Sequence, residues 1–193
     1  NVYDMYQSLG VDPEELECLD ITDAEYRRNK VEFGDVFFTR SSLKLEGIAH
    51  ANINLSHRDD LVYECHLMRV RPDQRRVDSK FLAYFCRSNE ARRYFMSTAK
   101  HSTMTTISQS DIGPLKVPLP PLPEQKKIAA ILTSVDEVIE KTQAQIDKLK
   151  DLKRAMMQEL LTKGIGHTEF KDSPMGRIPK AWRVMRVADL FHM

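Results

Sequence analysis

Asp73 lies five residues ahead of Asp78-Ser79-Lys80, and an acid upstream of an acid-x-Lys triplet resembles a metal-dependent nuclease motif. That chemistry needs carboxylates from separate strands converging on one Mg²⁺. A separation of five residues is too short to place Asp73 and Asp78 on different strands, so the triplet argues against hydrolysis. Cys18, Cys65, Cys86 and the six histidines fall in no zinc spacing. The odd, scattered thiols are expected to be reduced and packed as small hydrophobes. No GxGxxG, Walker A or HExxH occurs. An Asn-Pro-Pro-aromatic run of the adenine-methyltransferase kind is also absent, because Pro120-Pro121 are flanked by proline and leucine. No residue is therefore expected to be catalytic, and neither a metal nor a cofactor is expected.

Recognition chemistry remains. Arg40, Ser41, Ser42 and Lys44 follow an apolar run and bring a guanidinium, two hydroxyls and an ammonium into one turn. Such groups read base edges or hold phosphates. A second hydroxyl-rich stretch, His101 to Thr106, offers His101, Ser102, Thr103 and Thr105 for the same work. Each stretch is equally readable as a solvated turn capped by its own side chains. Arg69, Arg71, Arg75 and Arg76 are expected on a phosphate-facing or solvated surface. Charge is uneven along the chain: residues 1–25 carry eight acids and no Lys or Arg, whereas residues 26–113 carry fifteen bases against ten acids. An acidic head on a moderately basic body fits a nucleic-acid binder, though an ordinary mixed surface has the same balance.

The elements that must position these residues can be read from the pattern. Within residues 31–71, VEFGDVFFTR is a short apolar run with a turn at Gly34-Asp35, and LVYECHLMRVRP reads as a largely buried strand ended by Pro72. SKFLAYFCRSNEARRYFMSTA then shows helical spacing, with Phe81, Leu82, Phe85, Arg92 and Phe95 about a turn apart, and HSTMTTISQSDI reads as a loop. The predicted fold class is α+β, a mixed β-rich domain followed by a long coiled-coil-type helix. No run of about 18 apolar residues occurs and the first residues lack a signal pattern, so a cytoplasmic location is expected.

The long helix is predicted from Pro123 to Lys163. Ile128, Ile131, Val135, Val138, Leu149, Leu152 and Met156 step three and four residues apart, as in a coiled-coil seam, with Thr142 and Gln145 interrupting it. One helix of an ordinary bundle would carry the same stripe. Pro123 suits the first helical position, and Lys163-Gly164 supply a basic last turn and a stop. The prolines of PLPPLPEQKKIAAIL, residues 118–132, deny the preceding segment a helical phase and make a stiff joint between body and rod. A displayed PxxP ligand is the competing reading.

That proline joint on a long charged helix, followed by GRIPKAW, resembles the specificity subunit of type I restriction–modification systems. FGDVFFTRSS and FLAYFCRS with STMTTISQSDIGPLKVPLP resemble its target-recognition domains. The resemblance implies a non-catalytic DNA-reading subunit in which each recognition domain reads one half of a split site in double-stranded DNA. It implies partners as well: adenine-methyltransferase modification subunits, a translocating restriction subunit, and a second conserved helix pairing antiparallel in the same chain or in a homodimer. It also implies a fragment. Residues 1–117 would be a recognition domain lacking its N-terminal part, 118–163 the joint and conserved helix, and 164–193 a linker and the start of the next recognition domain. A coiled-coil scaffold whose attached domain binds protein rather than DNA is the alternative.

Overall fold

The computed structural model describes residues 2–101 and 103–190, which fall into two compact units meeting at Glu137 and Val138. In chain order the first unit holds α1 (Asp23–Asn29), β1 (Val36–Thr39), β2 (Ser41–Ser42), β3 (Ala51–Ile53) and β4 (Leu67–Val70). These are followed by α2 (Ser79–Arg87), α3 (Asn89–Thr98), β5 (Thr105–Thr106), α4 (Gln109–Ile112) and the beginning of α5 (Leu122–Lys163). The second unit holds the rest of α5 and then β6 (Phe170–Ser173) and β7 (Gly176–Pro179). The architecture is α+β with a long helix, as the pattern predicts.

The first unit is built on β1, the middle strand of an antiparallel sheet ordered β3-β1-β4. Every residue of β1 is buried. Val36 and Phe38 enter a core with Ile53, Met68, Ala83 and Phe95, whereas Phe37 enters a second cluster with Met5, Val31, Leu61 and Leu67. Two covered faces explain why the run is apolar without alternation. The turn ahead of β1 is conformationally demanding: Gly34 has φ +84, and a Cβ there would lie 2.9 Å from Ser79 Oγ. Asp35 is fully buried beside it and accepts from the Glu32 N–H and from Arg71 at 2.8 and 2.9 Å. Asn52 of β3, also buried, holds the acidic head: its amide donates to the Ser8 carbonyl at 3.1 Å and accepts from the Gly10 N–H at 2.8 Å.

Several sequence expectations are corrected. Only Leu67–Val70 of LVYECHLMRVRP is a strand. Ahead of it Val62 makes an isolated bridge to Lys30, and a turn closes from the Leu67 N–H to the Glu64 carbonyl. Apolar residues fall on both sides of that segment because Leu61 and Leu67 serve one cluster and Met68 the other. The helical stretch after Asp78 is two helices, because extended Ser88 ends α2 and its hydroxyl caps α3 at Ala91. The hydroxyl-rich loop contains β5 and α4. Of the thiols only Cys86 is buried; Cys18 and Cys65 are exposed. Two of the arginines expected on a phosphate-facing or solvated surface are engaged with the body, Arg69 half-buried and Arg71 while still exposed. Arg71 pairs with Asp35, and Arg69 donates to the Lys30 carbonyl while lying 5.1 Å over the Tyr63 ring.

The joint leads into α5 one residue earlier than predicted, with Pro123 still in the first turn, where a missing N–H leaves nothing unpaired. At the other end Gly164 (φ +68) stops the helix, its N–H bonded to the Leu160 carbonyl. A Cβ on Gly164 would lie 2.6 Å from the His167 ring and 2.8 Å from Trp182. GRIPKAW therefore supplies strand β7, paired in register with β6, and an aromatic residue laid against the helix end.

Phe38, 2% exposed and edge-on to Phe95 at 5.7 Å, is the central packing residue. Phe38→Ala should lower unfolding free energy by about 3–5 kcal/mol, whereas Leu43→Ala, at a site 82% exposed, should change it by less than about 0.5 kcal/mol. Denaturant melts of the two variants check the difference.

Candidate nucleic-acid interface

The two polar stretches, some sixty residues apart in sequence, form one object. Strands β2 and β5 pair antiparallel, with Ser41 opposite Thr106 and Ser42 opposite Thr105. Arg40 stands where this ribbon leaves the sheet. Its backbone is held on both sides, donating to the His66 carbonyl at 2.8 Å and accepting from the Ile107 N–H at 3.0 Å. Its guanidinium is exposed and has no hydrogen-bond or ion-pair partner among the described residues. A fixed backbone carrying a free guanidinium is preorganised to grip a phosphate or a guanine edge.

The other predicted residues divide. Lys44, His101 and Thr103 are exposed, and Ser41 and Ser42 are half-buried. The Ser42 hydroxyl accepts from the Lys44 N–H at 3.2 Å, capping its own turn. Thr105 is buried, with its hydroxyl 3.3 Å from His101 Nδ1, so the structure turns it away from any ligand surface. Ser102 lies outside the described residues. Leu43 projects from the open end of the ribbon, an apolar group of the kind that meets thymine methyls.

Beside the ribbon an open groove of about 830 Å³ is lined by Arg28 and Asn29 of α1, Arg40, Glu64 and Ser108–Ser110, among others. Arg28 and Gln109 were not singled out from sequence, because nothing local distinguishes them from other surface residues. Arg28 is exposed and, like Arg40, has no partner among the described residues. The carboxylates of the groove are occupied. Glu25 accepts from the backbone and hydroxyl of Thr22, which hold it below the ordinary carboxylate range, and Glu64 accepts from the Val2 N–H. The groove therefore presents two guanidiniums without a hydrogen-bond or ion-pair partner among the described residues, with amide and hydroxyl groups around them.

The ribbon is supported from beneath by arginines of a different kind. Arg92 donates to the carbonyls of Ala49 and Glu46, and Arg87 to that of Ala51, which ties the start of β3 and the segment before it to α2 and α3. His50 lies in that segment with its N–H bonded to Thr39 Oγ1 and its buried Nε2 without a partner. Burial first, then the charges of Arg87 and Arg92, push its imidazole down to about 4.

The α+β body thus presents exposed cations on a ribbon and groove and continues into a long helix. Residues 30–151 match the model of the type I restriction modification DNA specificity domain, and the chain belongs to that family. It is 32% identical over 172 residues to a Methanocaldococcus jannaschii protein assigned as the MjaX type I restriction enzyme specificity subunit, covering 88% of this chain and 40% of that one. With the EcoKI specificity subunit of Escherichia coli it shares 27% identity over 156 residues, covering 79% and 33%. A chain in a solved structure concerned with complex assembly and conformational transition of the type I restriction–modification system superposes with a TM-score of 0.59 at 20% identity, covering 83% of this chain and 39% of that one. The chain thus spans two fifths or less of these relatives, and the last match speaks to fold alone. Among the described residues no helix is long and apolar enough to cross a membrane.

His50 supplies a pH test of the ribbon's support. Its folded value of about 4 lies below the value of about 6.5 in the unfolded chain, so the unfolded state binds more protons between those limits. This group's contribution to stability is complete above about pH 6.5 and is lost as pH falls toward 4. The melting temperature of the native chain minus that of His50→Gln should be constant above pH 7 and fall across this window; a flat difference would place the imidazole in water.

Proposed function

We propose that this chain is a DNA-reading arm of a type I restriction–modification specificity subunit, reading one half of a bipartite target and scaffolding the modification subunits. The observation that carries the reading is Arg40, an unpaired guanidinium on a doubly held backbone at the edge of a polar groove. Ser41, Ser42, Lys44, His101 and Thr103 extend the contact surface along the ribbon, and Arg28 and Gln109 extend it along the groove. Double-stranded DNA is the ligand. Separate adenine-methyltransferase subunits supply the chemistry, and a translocating restriction subunit joins the assembly. Residues 164–193, with the β6–β7 hairpin, open a second recognition domain.

Contacts to base edges and to phosphates respond differently to mutation, which gives the test. In the full subunit assembled with its modification subunits, Arg40→Ala should weaken binding by about 1–3 kcal/mol and relax preference at one base pair. Arg28→Ala should weaken binding about equally on all sequences and reduce the salt slope by about one. Band shifts with competitor duplexes measure both. A uniform loss for Arg40→Ala would make it a phosphate contact, and an absence of any sequence preference in the native assembly would favour a protein-binding scaffold.

The stripe on α5 is the second part of the proposal. Ile131, Val135, Val138, Leu149, Leu152 and Met156 are 49–63% exposed, and Ile128 is half-buried. Apolar groups at this spacing and exposure suit pairing with a second long helix, antiparallel in the same subunit or in a homodimer. Leu149→Asp with Leu152→Asp would place unpaired charge in that seam at several kcal/mol. The double variant should shift the assembly's size on gel filtration and lower its melting temperature; no change in either would put both leucines in solvent.

A further inference from the structure

Gln125 lies in the first turn of α5 and is only 1% exposed, at a position where a helix start ordinarily places polar groups in water. Its side-chain amide joins three segments. The carbonyl oxygen accepts from the Asp78 N–H at 2.8 Å, and the NH₂ group donates to the carbonyls of Pro120 at 2.7 Å and Arg76 at 3.3 Å. Pro120 belongs to the joint, Arg76 to the turn before α2, and Asp78 caps α2 through the Phe81 N–H at 2.9 Å. The joint is rich in prolines, which have no N–H to offer the body, so its carbonyls must find donors elsewhere.

A second fastening lies about 16 Å further along the helix, eleven residues on. There the Tyr84 hydroxyl of α2 donates to Asp136 at 2.7 Å and lies 3.2 Å from the Thr133 hydroxyl. Burial and the neighbouring carboxylate raise the Tyr84 phenol above its ordinary range, which keeps it a donor. Ala129, 2% exposed, packs between the two fastenings. At about 100° per residue, Gln125, Ala129, Thr133 and Asp136 fall within an arc of about 80°, and Ile131 and Val135 lie well over 90° round the axis from its centre. One fastening alone would leave α5 a pivot. Two define a line and at the same time hold Ile131 and Val135 away from the body.

We propose that Gln125 is a positioning residue that fixes the direction in which α5 leaves the recognition body, with Tyr84–Asp136 as the second point, and that it thereby sets the gap between half-sites a complete subunit accepts. The inference rests on the DNA-reading function proposed above. No other common side chain of this reach supplies one acceptor and two donors: glutamate would bury a charge against two carbonyls, methionine offers neither, and asparagine is one methylene short.

The test uses the full-length subunit with its modification subunits and a set of duplexes that keep both half-sites while the gap changes one base pair at a time. The native complex should methylate best at one gap. Gln125→Ala should leave discrimination between correct and altered half-sites intact while raising methylation at neighbouring gaps, relative to the best one, by roughly tenfold; a displaced optimum supports the idea equally. Gln125→Glu should behave as Gln125→Ala does. Tyr84→Phe, which keeps the packing and removes only the hydroxyl, should broaden the profile to a lesser degree and decides the matter if the Gln125 variants melt near room temperature. A gap profile as narrow as the native one in folded variants overturns the clamp while leaving DNA reading in place. A native complex indifferent to the half-sites themselves overturns the functional reading instead.

Discussion

Val36, Phe37 and Phe38 have to be buried on both faces of the sheet at once, and most of the first unit is arranged to meet that requirement. One face is covered by α2 and α3, the other by the N-terminal segment and the chain around Leu61. The surface proposed to contact DNA depends on this arrangement directly. Arg40 is the residue after β1, so the rigidity of the strand reaches the guanidinium through one backbone unit. The same α2 that covers Phe38 carries Tyr84 and is capped by Asp78, the two points on which α5 is fastened.

Arginine has two separate roles in this unit. Arg71 neutralises the buried Asp35, and breaking that pair from either side would strand a charge or leave a turn unsupported. Arg87 and Arg92 are half-buried, and burial lowers the pKa of each, yet they remain useful because each guanidinium satisfies backbone carbonyls that no strand reaches. Arg28 and Arg40 do none of this. They line the groove without an internal partner among the described residues, and that is why the DNA contact is proposed there.

The long helix combines two kinds of face. Its first turns face the body with Gln125, Thr133 and Asp136, each hydrogen-bonded, and with the small Ala129 packed between them. Its apolar stripe, from Ile131 to Met156, is exposed, and pairing with another helix is the role proposed for it. Polar fastenings suit the first task because hydrogen bonds have direction and define an angle, whereas apolar contact tolerates sliding. Apolar packing suits the second, where a long seam gains from many weak contacts.

Elements with a local cause could be read from the residues alone. The apolar run of β1, the turn at Gly34, the proline joint, the rod to Lys163 and its stop at Gly164 all follow from side-chain periodicity or from backbone conformations that few residues adopt. Arg40, Ser41, Ser42 and Lys44 were legible as a polar turn for the same reason. Which cations lack a partner among the described residues depends on the folded arrangement. Arg69, Arg71, Arg28 and Arg40 look alike in sequence, and their roles follow from carbonyls and carboxylates brought close by residues far away in the chain. The folded arrangement likewise turned Thr105 inward, joined two distant polar stretches into one ribbon, and buried Gln125. Hydrogen-bond partners such as Arg76, Asp78 and Pro120 leave no periodic trace, because a single side chain meeting three segments has no period to read.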